Sequence, residues 1–333
     1  MVEFFIGYVN FTTKGGPLTR KSRWTSFVIW VCVISQPLFY LYHRGNTMST
    51  TKGTTKQLAR GPLKQLIKRQ AKQLGANLIG FASVDRWPEQ QEVKPEYWPQ
   101  SIWPWSRTVI SLGVQIYLPM IETTPSVVYS ECYNTTNRIL DEIAYRLANK
   151  LNQLGYRAHW FPRDCYGDIS VLVKKQEAAF SHVFAGKYAG LGTLGLNHTL
   201  LTKEYGPRVR LVSVITDADV VPDKLVKDDL CIRCQQCVRN CPTEAFTPRS
   251  DRLIADMAKT RCAGYHQKLK NEFRYPCGVC IAVCPIGEDS KLYGAHSVTE
   301  AGKEHCQNFG SANAVAGLPV PEDAQQIIDT TIR

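Results

Sequence analysis

The 333-residue chain has no internal repeat of solenoid length, which excludes a stacked-repeat architecture. It has no long run of Lys or Arg, so its formal charge of +11 reads first as a solvated basic surface and only second as a nucleic-acid face. With 44% hydrophobic and 21% charged residues it lacks the polar, highly charged composition of a disordered chain. No twin-arginine pair and no small-residue cleavage site accompany its one long apolar stretch, residues 24–42, which argues against an export signal. What the chain does have is cysteine. Twelve are present, and eight of them fall between Cys231 and Cys284. In a chain this large, such clustering points to metal ligands rather than a disulfide framework, and thiolate ligands need a reducing setting, read here as cytoplasmic.

Residues 1–47 differ in texture from the rest. They carry Lys14, Arg20, Lys21, Arg23 and Arg44 against Glu3, four of the eleven net charges. The stretch 24–42 is long enough to span a bilayer, but Ser35, Gln36 and Pro37 weaken it, and the segment from Met48 reads as the flexible start of a soluble protein. We read 1–47 as an extension of doubtful status, with membrane association through 24–42 as the alternative. Beyond it, Leu63, Leu66, Ile67, Ala71 and Leu74 keep helical spacing before Gly75. Residues 77–84, 108–114, 156–161 and 208–216 read as strands. The stripe Ile139, Leu140, Ile143, Leu147, Leu151 and Leu154 predicts a helix over 136–154, capped by Thr136 and ended by Gly155. Helices and strands alternating over 56–220 predict an α/β (α+β) core domain over 48–222. Residues 223–290 form a cysteine-rich second domain, and 291–333 a polar tail.

The cysteines follow two runs. The first is Cys231-x-x-Cys234-x-x-Cys237-x-x-x-Cys241-Pro242, and the second is Cys277-x-x-Cys280-x-x-x-Cys284-Pro285. Three thiols at two-residue intervals wrap one face of an iron–sulfur cubane, and the fourth serves a second cluster. Zinc prefers two separated Cys-x-x-Cys knuckles, which three close thiols and a Cys-Pro do not supply. This spacing assigns Cys231, Cys234, Cys237 and Cys284 to one [4Fe–4S] cluster, and Cys241, Cys277 and Cys280 to a second. Cys262, the nearest unassigned cysteine, is the natural completion of the second set. Cys32, Cys132, Cys165 and Cys306 are left as packed or surface thiols.

Upstream of these runs lies "AGLGTLGLNHTLLTKEYGPRVRLVSVITDADVVPDK", beginning at Ala189. Joined to the two cysteine runs and to the displaced Cys262, it resembles the epoxyqueuosine reductase family and its relatives the reductive dehalogenases. The resemblance covers about 56–288 and implies a nitroreductase-like core that binds cobalamin or another corrinoid, followed by a ferredoxin-like domain whose nearer cluster feeds electrons to the cobalt. Gly190, Gly192, Gly195 and Gly206 would let backbone approach a broad flat ring, with Asn197 beside them; tight turns explain the same glycines. Arg208 and Arg210, at alternate strand positions, are read as cofactor or substrate contacts, and a solvated strand face as their bland alternative. No histidine lies in an Asp-x-His pattern, so a corrinoid would lack a histidine below the cobalt. The family's proton-donating aspartate has no counterpart here. Gln176 and Glu177 fall near its place, which makes Glu177 a candidate proton donor, with His182 behind it and Tyr188 also near. The 49 residues after Cys284 leave no counterpart of the helical repeats that help related enzymes hold tRNA.

Two functions follow from these expectations. One is a reductase that removes an oxygen or halogen substituent from a small molecule or modified nucleoside, with tRNA less favoured, fed by a low-potential donor such as ferredoxin or flavodoxin. The other is a [4Fe–4S] electron-transfer protein serving a partner enzyme or a corrinoid protein.

Overall fold

A computed structural model describes residues 58–294 and 297–308. The apolar stretch 24–42 and the start at Met48 lie outside the described residues. Among the described residues no helix is long and apolar enough to cross a membrane.

A four-stranded antiparallel sheet organises the upstream half, in the order Leu78–Ser83, Thr108–Gln115, Val209–Thr216, Ala158–Phe161. The two central strands are buried along nearly their whole length, which explains why they read as almost unbroken apolar runs. Alternation divides their side chains between two layers. Ile110, Leu112, Val212 and Val214 pack under the helices Arg60–Gln73 and Val127–Gln153. Val109 and Ile215 face Trp87, Phe161, Phe180 and Tyr188, the last on the helix His182–Tyr188. The result is the mixed helix-and-sheet core expected from the sequence.

The long helix corrects the expectation at its start. It runs Val127–Gln153, not 136–154, and its cap is Ser126, whose side chain accepts the Tyr129 N–H at 3.1 Å. Thr136 lies inside it and donates its hydroxyl to the Cys132 carbonyl at 2.8 Å. The first nine residues escape an aliphatic stripe because Tyr129, Ser130 and Tyr133, not leucines, form the buried face there. Ile139, placed in the stripe by its spacing, is 37% exposed.

Past residue 222 the chain is built from short pieces. Single helical turns at Gln236–Arg239 and Val279–Ala282 carry cysteines, and a two-residue ribbon pairs Phe246–Thr247 with Asp256–Met257. The helix Lys259–Asn271, not anticipated from apolar periodicity, carries Cys262. One buried cation ties this segment to the sheet. Arg208, 1% exposed, makes two bonds to Asp289, at 2.7 and 2.6 Å, and donates to the carbonyls of Cys284 at 2.9 Å and Ile286 at 2.7 Å. Removing the guanidinium leaves a buried carboxylate and two carbonyls without their donor. Arg208→Met is therefore expected to lower stability by about 3–5 kcal/mol, read from the denaturant midpoint of the protein purified without oxygen.

Candidate iron–sulfur and substrate site

The hairpin formed by Thr193–Leu194 and Leu200–Leu201 pushes Gly195, Leu196 and Asn197 into the cysteine-rich segment. Leu196 is 5% exposed and belongs, with Phe246 and Ala255, to a small apolar cluster against which Cys231, Cys237, Cys241 and Cys280 pack. Cys231, Cys234, Cys237 and Cys284 line one small cavity together with Gly195 and Asn197. Cys241, Cys262, Cys277 and Cys280 line the floor of a second, larger cleft of about 420 Å³. Asn197 borders both cavities, and its amide donates to the Cys280 carbonyl at 3.0 Å. Thiols grouped by spacing thus line a common cavity, and Cys262 stands with the second group.

Electrostatics couple the thiols mostly within each group, with Cys237 of the first also acting on Cys280 of the second. Burial pushes Cys237 up to about 11, and Cys284, Cys231 and Cys234 add to the shift. Burial likewise lifts Cys262 to about 11, with Cys241 adding to it, and Cys277 to about 11, with Cys262 and Cys241 adding. Cys280 is raised further by burial and by Cys277, Cys262, Cys237 and Cys241. Cys241 differs: burial opposes its thiolate, yet backbone N–H groups and the Thr243 hydroxyl bring it below the ordinary value, with the Ala245 N–H at 3.3 Å from the sulfur. Left-handed backbone at Gln235 and Gly278, each just after a ligand-spaced cysteine or its neighbour, helps turn amides toward the sulfurs. Such quartets fit a polynuclear cationic cluster, which replaces protons as the counter-charge. Among the described residues no three His, Cys, Asp or Glu side chains close on a single-ion site.

Much of the remaining wall is aromatic, with Ile169, Leu172, Gln176 and Lys259 among the residues that complete it. Tyr129 and Tyr133, four residues apart on the long helix, share it with Tyr166, Tyr275 and His266. Arg210 enters from its strand: its guanidinium lies 4.5 Å from the Tyr133 ring centroid and donates to Asp164 at 2.9 Å and to Asn137 at 3.0 Å. Tyr166 donates to the same Asp164 oxygen at 3.3 Å and stands 3.0 Å from the Tyr275 hydroxyl. Burial, and then the neighbouring phenol and carboxylate, raise Tyr166 above its ordinary value, so it keeps its proton at neutral pH. Sequence reasoning missed Tyr133, Asp164, Tyr166 and Tyr275. The only available signal was the i, i+4 spacing of Tyr129 and Tyr133, hidden by the misplaced helix start.

Several residues expected at the site lie elsewhere. Glu177 sits outside the cleft, hydrogen-bonded by Tyr97 at 2.8 Å and paired with Lys94 and Lys175 at 3.3 Å each. These partners, Tyr97 first, hold it down to about 2, which makes it a poor proton donor near neutrality. His182 is buried at the start of its helix, bonded to Ser213 at 2.9 Å and to the Pro162 carbonyl at 2.8 Å. The glycines answer to the protein's own backbone. A Cβ on Gly190 would stand 2.1 Å from the Lys224 carbonyl oxygen, on Gly192 1.9 Å from that of Leu201, and on Gly206 1.8 Å from that of Ile286. Of the four, Gly195 alone borders a cysteine-lined cavity, where a Cβ would meet the Asn197 Oδ1 at 2.7 Å. Arg208 and Arg210 part company, one locking the chain junction and the other entering the cleft; neither is a solvated strand face.

The cysteine cavities, the hairpin between them and the aromatic cleft define a two-cluster iron–sulfur protein. Residues 230–288 match the 4Fe-4S dicluster domain. Homologues of the chain are reductive dehalogenases and epoxyqueuosine reductases. A tetrachloroethene reductive dehalogenase of Desulfitobacterium hafniense is 26% identical over 230 residues, 63% of this chain and 36% of that protein. An epoxyqueuosine reductase of Bacillus cereus is 26% identical over 243 residues, 65% of this chain and 62% of that protein. A catabolic reductive dehalogenase solved with 3-bromo-4-hydroxybenzoic acid shares the fold, with a TM-score of 0.55 at 19% identity, covering 84% of this chain and 37% of that one. The chain therefore spans little more than a third of the dehalogenases it matches.

Two histidines set a pH dependence, His182 buried at the start of its helix and His266 half-buried in the cleft wall. Burial lowers both His182 and His266 to about 4. In the unfolded chain they take up protons below about 6.5. Between those values the unfolded state binds more protons, so stability falls as pH drops from about 6.5 to 4, by up to about 3 kcal/mol per histidine. Titration of the His182 ring by NMR should find it neutral at pH 5; a midpoint near 6.5 would contradict its burial.

Proposed function

We propose that the chain is an iron–sulfur reductase in which Cys231, Cys234, Cys237 and Cys284 hold one [4Fe–4S] cluster, and Cys241, Cys262, Cys277 and Cys280 hold the other. Electrons pass from the first to the second and from there into the cleft, for reductive removal of a halogen or oxygen substituent. The observation that carries this reading is the cleft itself: its floor is the second cysteine quartet, and its walls are protonated phenols and a guanidinium. A wire of two clusters therefore ends at a place where an organic molecule can sit. A volume of about 420 Å³ suits a small substrate or the reacting part of a larger one.

A corrinoid bound here would supply the strongly reducing cobalt centre that such bond cleavage requires. Flat aromatic faces beside the second quartet suit one edge of such a ring, but about 420 Å³ is too small for a whole corrinoid and a substrate together, and Gly190, Gly192 and Gly206 are taken up by the protein's own chain. The chain's own residues then do three things. Tyr166 and Tyr275 hold protons at their phenol oxygens within the cleft. Asp164 orients Tyr166 by accepting its hydroxyl and fixes Arg210 by accepting its N–H. Arg210, raised above the ordinary guanidinium value by Tyr133 and Asp164 against the lowering effect of burial, keeps a permanent positive charge where an anionic group leaves or binds. Among the substrates named for the homologues, the halogenated small molecules suit this compact apolar cleft better than a nucleoside within tRNA.

The loss of the glycine argument for a ring-binding loop gives a second reading some weight, that of an electron-transfer protein for a partner. Protein purified without oxygen and reconstituted with iron, sulfide and cobalamin should hold about eight irons and retain one cobalt. Full iron without cobalt selects the carrier, and zinc in place of iron rejects both readings. Cys262→Ser should perturb the paramagnetic signal of one reduced cluster and leave the other; two unchanged signals would remove Cys262 from the ligand set.

A further inference from the structure

The two quartets differ in what touches their sulfurs. Among the described residues, one side-chain hydroxyl stands within hydrogen-bond distance of any of the eight ligand-spaced cysteines: Thr243 Oγ1 lies 3.5 Å from Cys241 Sγ. The backbone is shaped for this contact. After Pro242, which has no N–H to offer, Glu244 takes a left-handed φ of +48° and its N–H bonds to the Cys241 carbonyl at 3.1 Å. The chain so reversed brings the Ala245 N–H to 3.3 Å from the same sulfur. Both ends of the turn are anchored. Arg261, next to Cys262 on the helix Lys259–Asn271, donates to the Thr243 carbonyl at 3.2 Å, and the Ala245 carbonyl accepts the Ala258 N–H at 2.8 Å. The segments that carry Cys241 and Cys262 are thus tied together through the backbone of Thr243.

Between a hydroxyl and a free thiol either atom can donate. A cysteine bound to iron has no proton, so in the loaded protein the Thr243 hydroxyl donates and the Cys241 sulfur accepts. Such a bond is stronger the more negative the cluster. It stabilises the reduced form, which carries one more electron, beyond the oxidised form, and so raises the reduction potential. Thr243 and Cys241 both line the aromatic cleft, which puts this bond at the floor where the electron is to be delivered.

We propose that Thr243 tunes the second cluster: its hydroxyl donates to the Cys241 thiolate and raises that cluster's reduction potential, which draws the electron from the first quartet toward the cleft. Thr243 is a positioning residue, acting through Cys241 and not on the substrate. This rests on the reading above in which Cys241 is a ligand of the second cluster. In the transfer the first cluster loses one electron and the second gains it; the hydroxyl keeps its proton and no bond breaks.

The test is a redox titration of the reconstituted full chain, with dithionite as reductant and each cluster followed by its paramagnetic signal. Thr243→Val keeps the outline of the side chain and removes the donor. It should shift the reduction equilibrium of one cluster about three- to tenfold toward the oxidised form. At about 59 mV per tenfold for one electron, that is a fall of about 30–60 mV in midpoint potential. The affected signal should be the one that Cys262→Ser perturbs, with the other unmoved. Thr243→Ser, which keeps the hydroxyl, should stay within about 1.5-fold of wild type. Iron content identifies variants that hold both clusters; if Thr243→Val does not, Thr243→Ala takes its place with the same expected shift. Unchanged midpoints without the hydroxyl overturn the tuning role and leave the reductase reading standing. An equal fall at both clusters, or a shift confined to the cluster that Cys262→Ser leaves alone, overturns it too. So does a fall of the same size in Thr243→Ser, which would make packing of the methyl group the cause. Absence of iron from the wild-type protein overturns the cluster reading, and the tuning role with it.

Discussion

Four thiols buried within electrostatic reach of one another cannot all give up their protons unless a cation stands among them. That constraint governs the downstream half of this chain. Burial and mutual repulsion push Cys237, Cys262, Cys277 and Cys280 upward, and only Cys241 has enough N–H donors to fall below its ordinary value. The segment meanwhile has few apolar contacts of its own: Leu196, Phe246 and Ala255 are the buried members of its small hydrophobic cluster, and the cysteines complete it. Metal binding supplies the counter-charge and much of the order that a hydrophobic core would otherwise provide.

The sheet places what the clusters need. Its antiparallel register delivers Arg208 and Arg210 to the site end of the same strand, where the first locks Asp289 and the carbonyls beyond Cys284, and the second turns into the cleft. The hairpin before that strand inserts Leu196 and Asn197 between the quartets, an apolar separator and an amide anchored on the Cys280 carbonyl. The long helix adds Tyr129 and Tyr133 from the other side. Close backbone approach makes this possible. Gly192 lets the two halves of the hairpin meet, and Gly206 at φ +53° lets the strand entrance press against Ile286.

The cysteines were the most legible part of the site, because ligand spacing is a local property: the distance between thiols around a cluster is set by two or three intervening residues. Cys262 was reachable by elimination, although the helix that carries it shows no strong apolar period. The glycines were visible, with approach to a flat ring and tight turns both open as readings. A glycine announces that something comes close without saying what, and here it was the chain's own carbonyls. Glu177 and His182 were chosen for their proximity in sequence to a familiar pattern; an ion pair with Lys94 and burial against Ser213 took them elsewhere. The aromatic wall drew no attention because tyrosines at helical spacing look like core, and its partners Asp164, Tyr166 and Tyr275 come from separate segments.

From its sequence alone this protein was bound to have two groups of ligand-spaced cysteines, a layered core of helices on an apolar sheet, and a basic overall charge, since each depends on periodicity, spacing or composition along a short stretch. Only the tertiary structure decided which quartet floors the cleft, which side chains wall it, and which arginine serves the fold rather than the site. Those are relations between residues as far apart as Tyr133 and Tyr275 or Arg208 and Asp289, and they exist only once packing has brought them together.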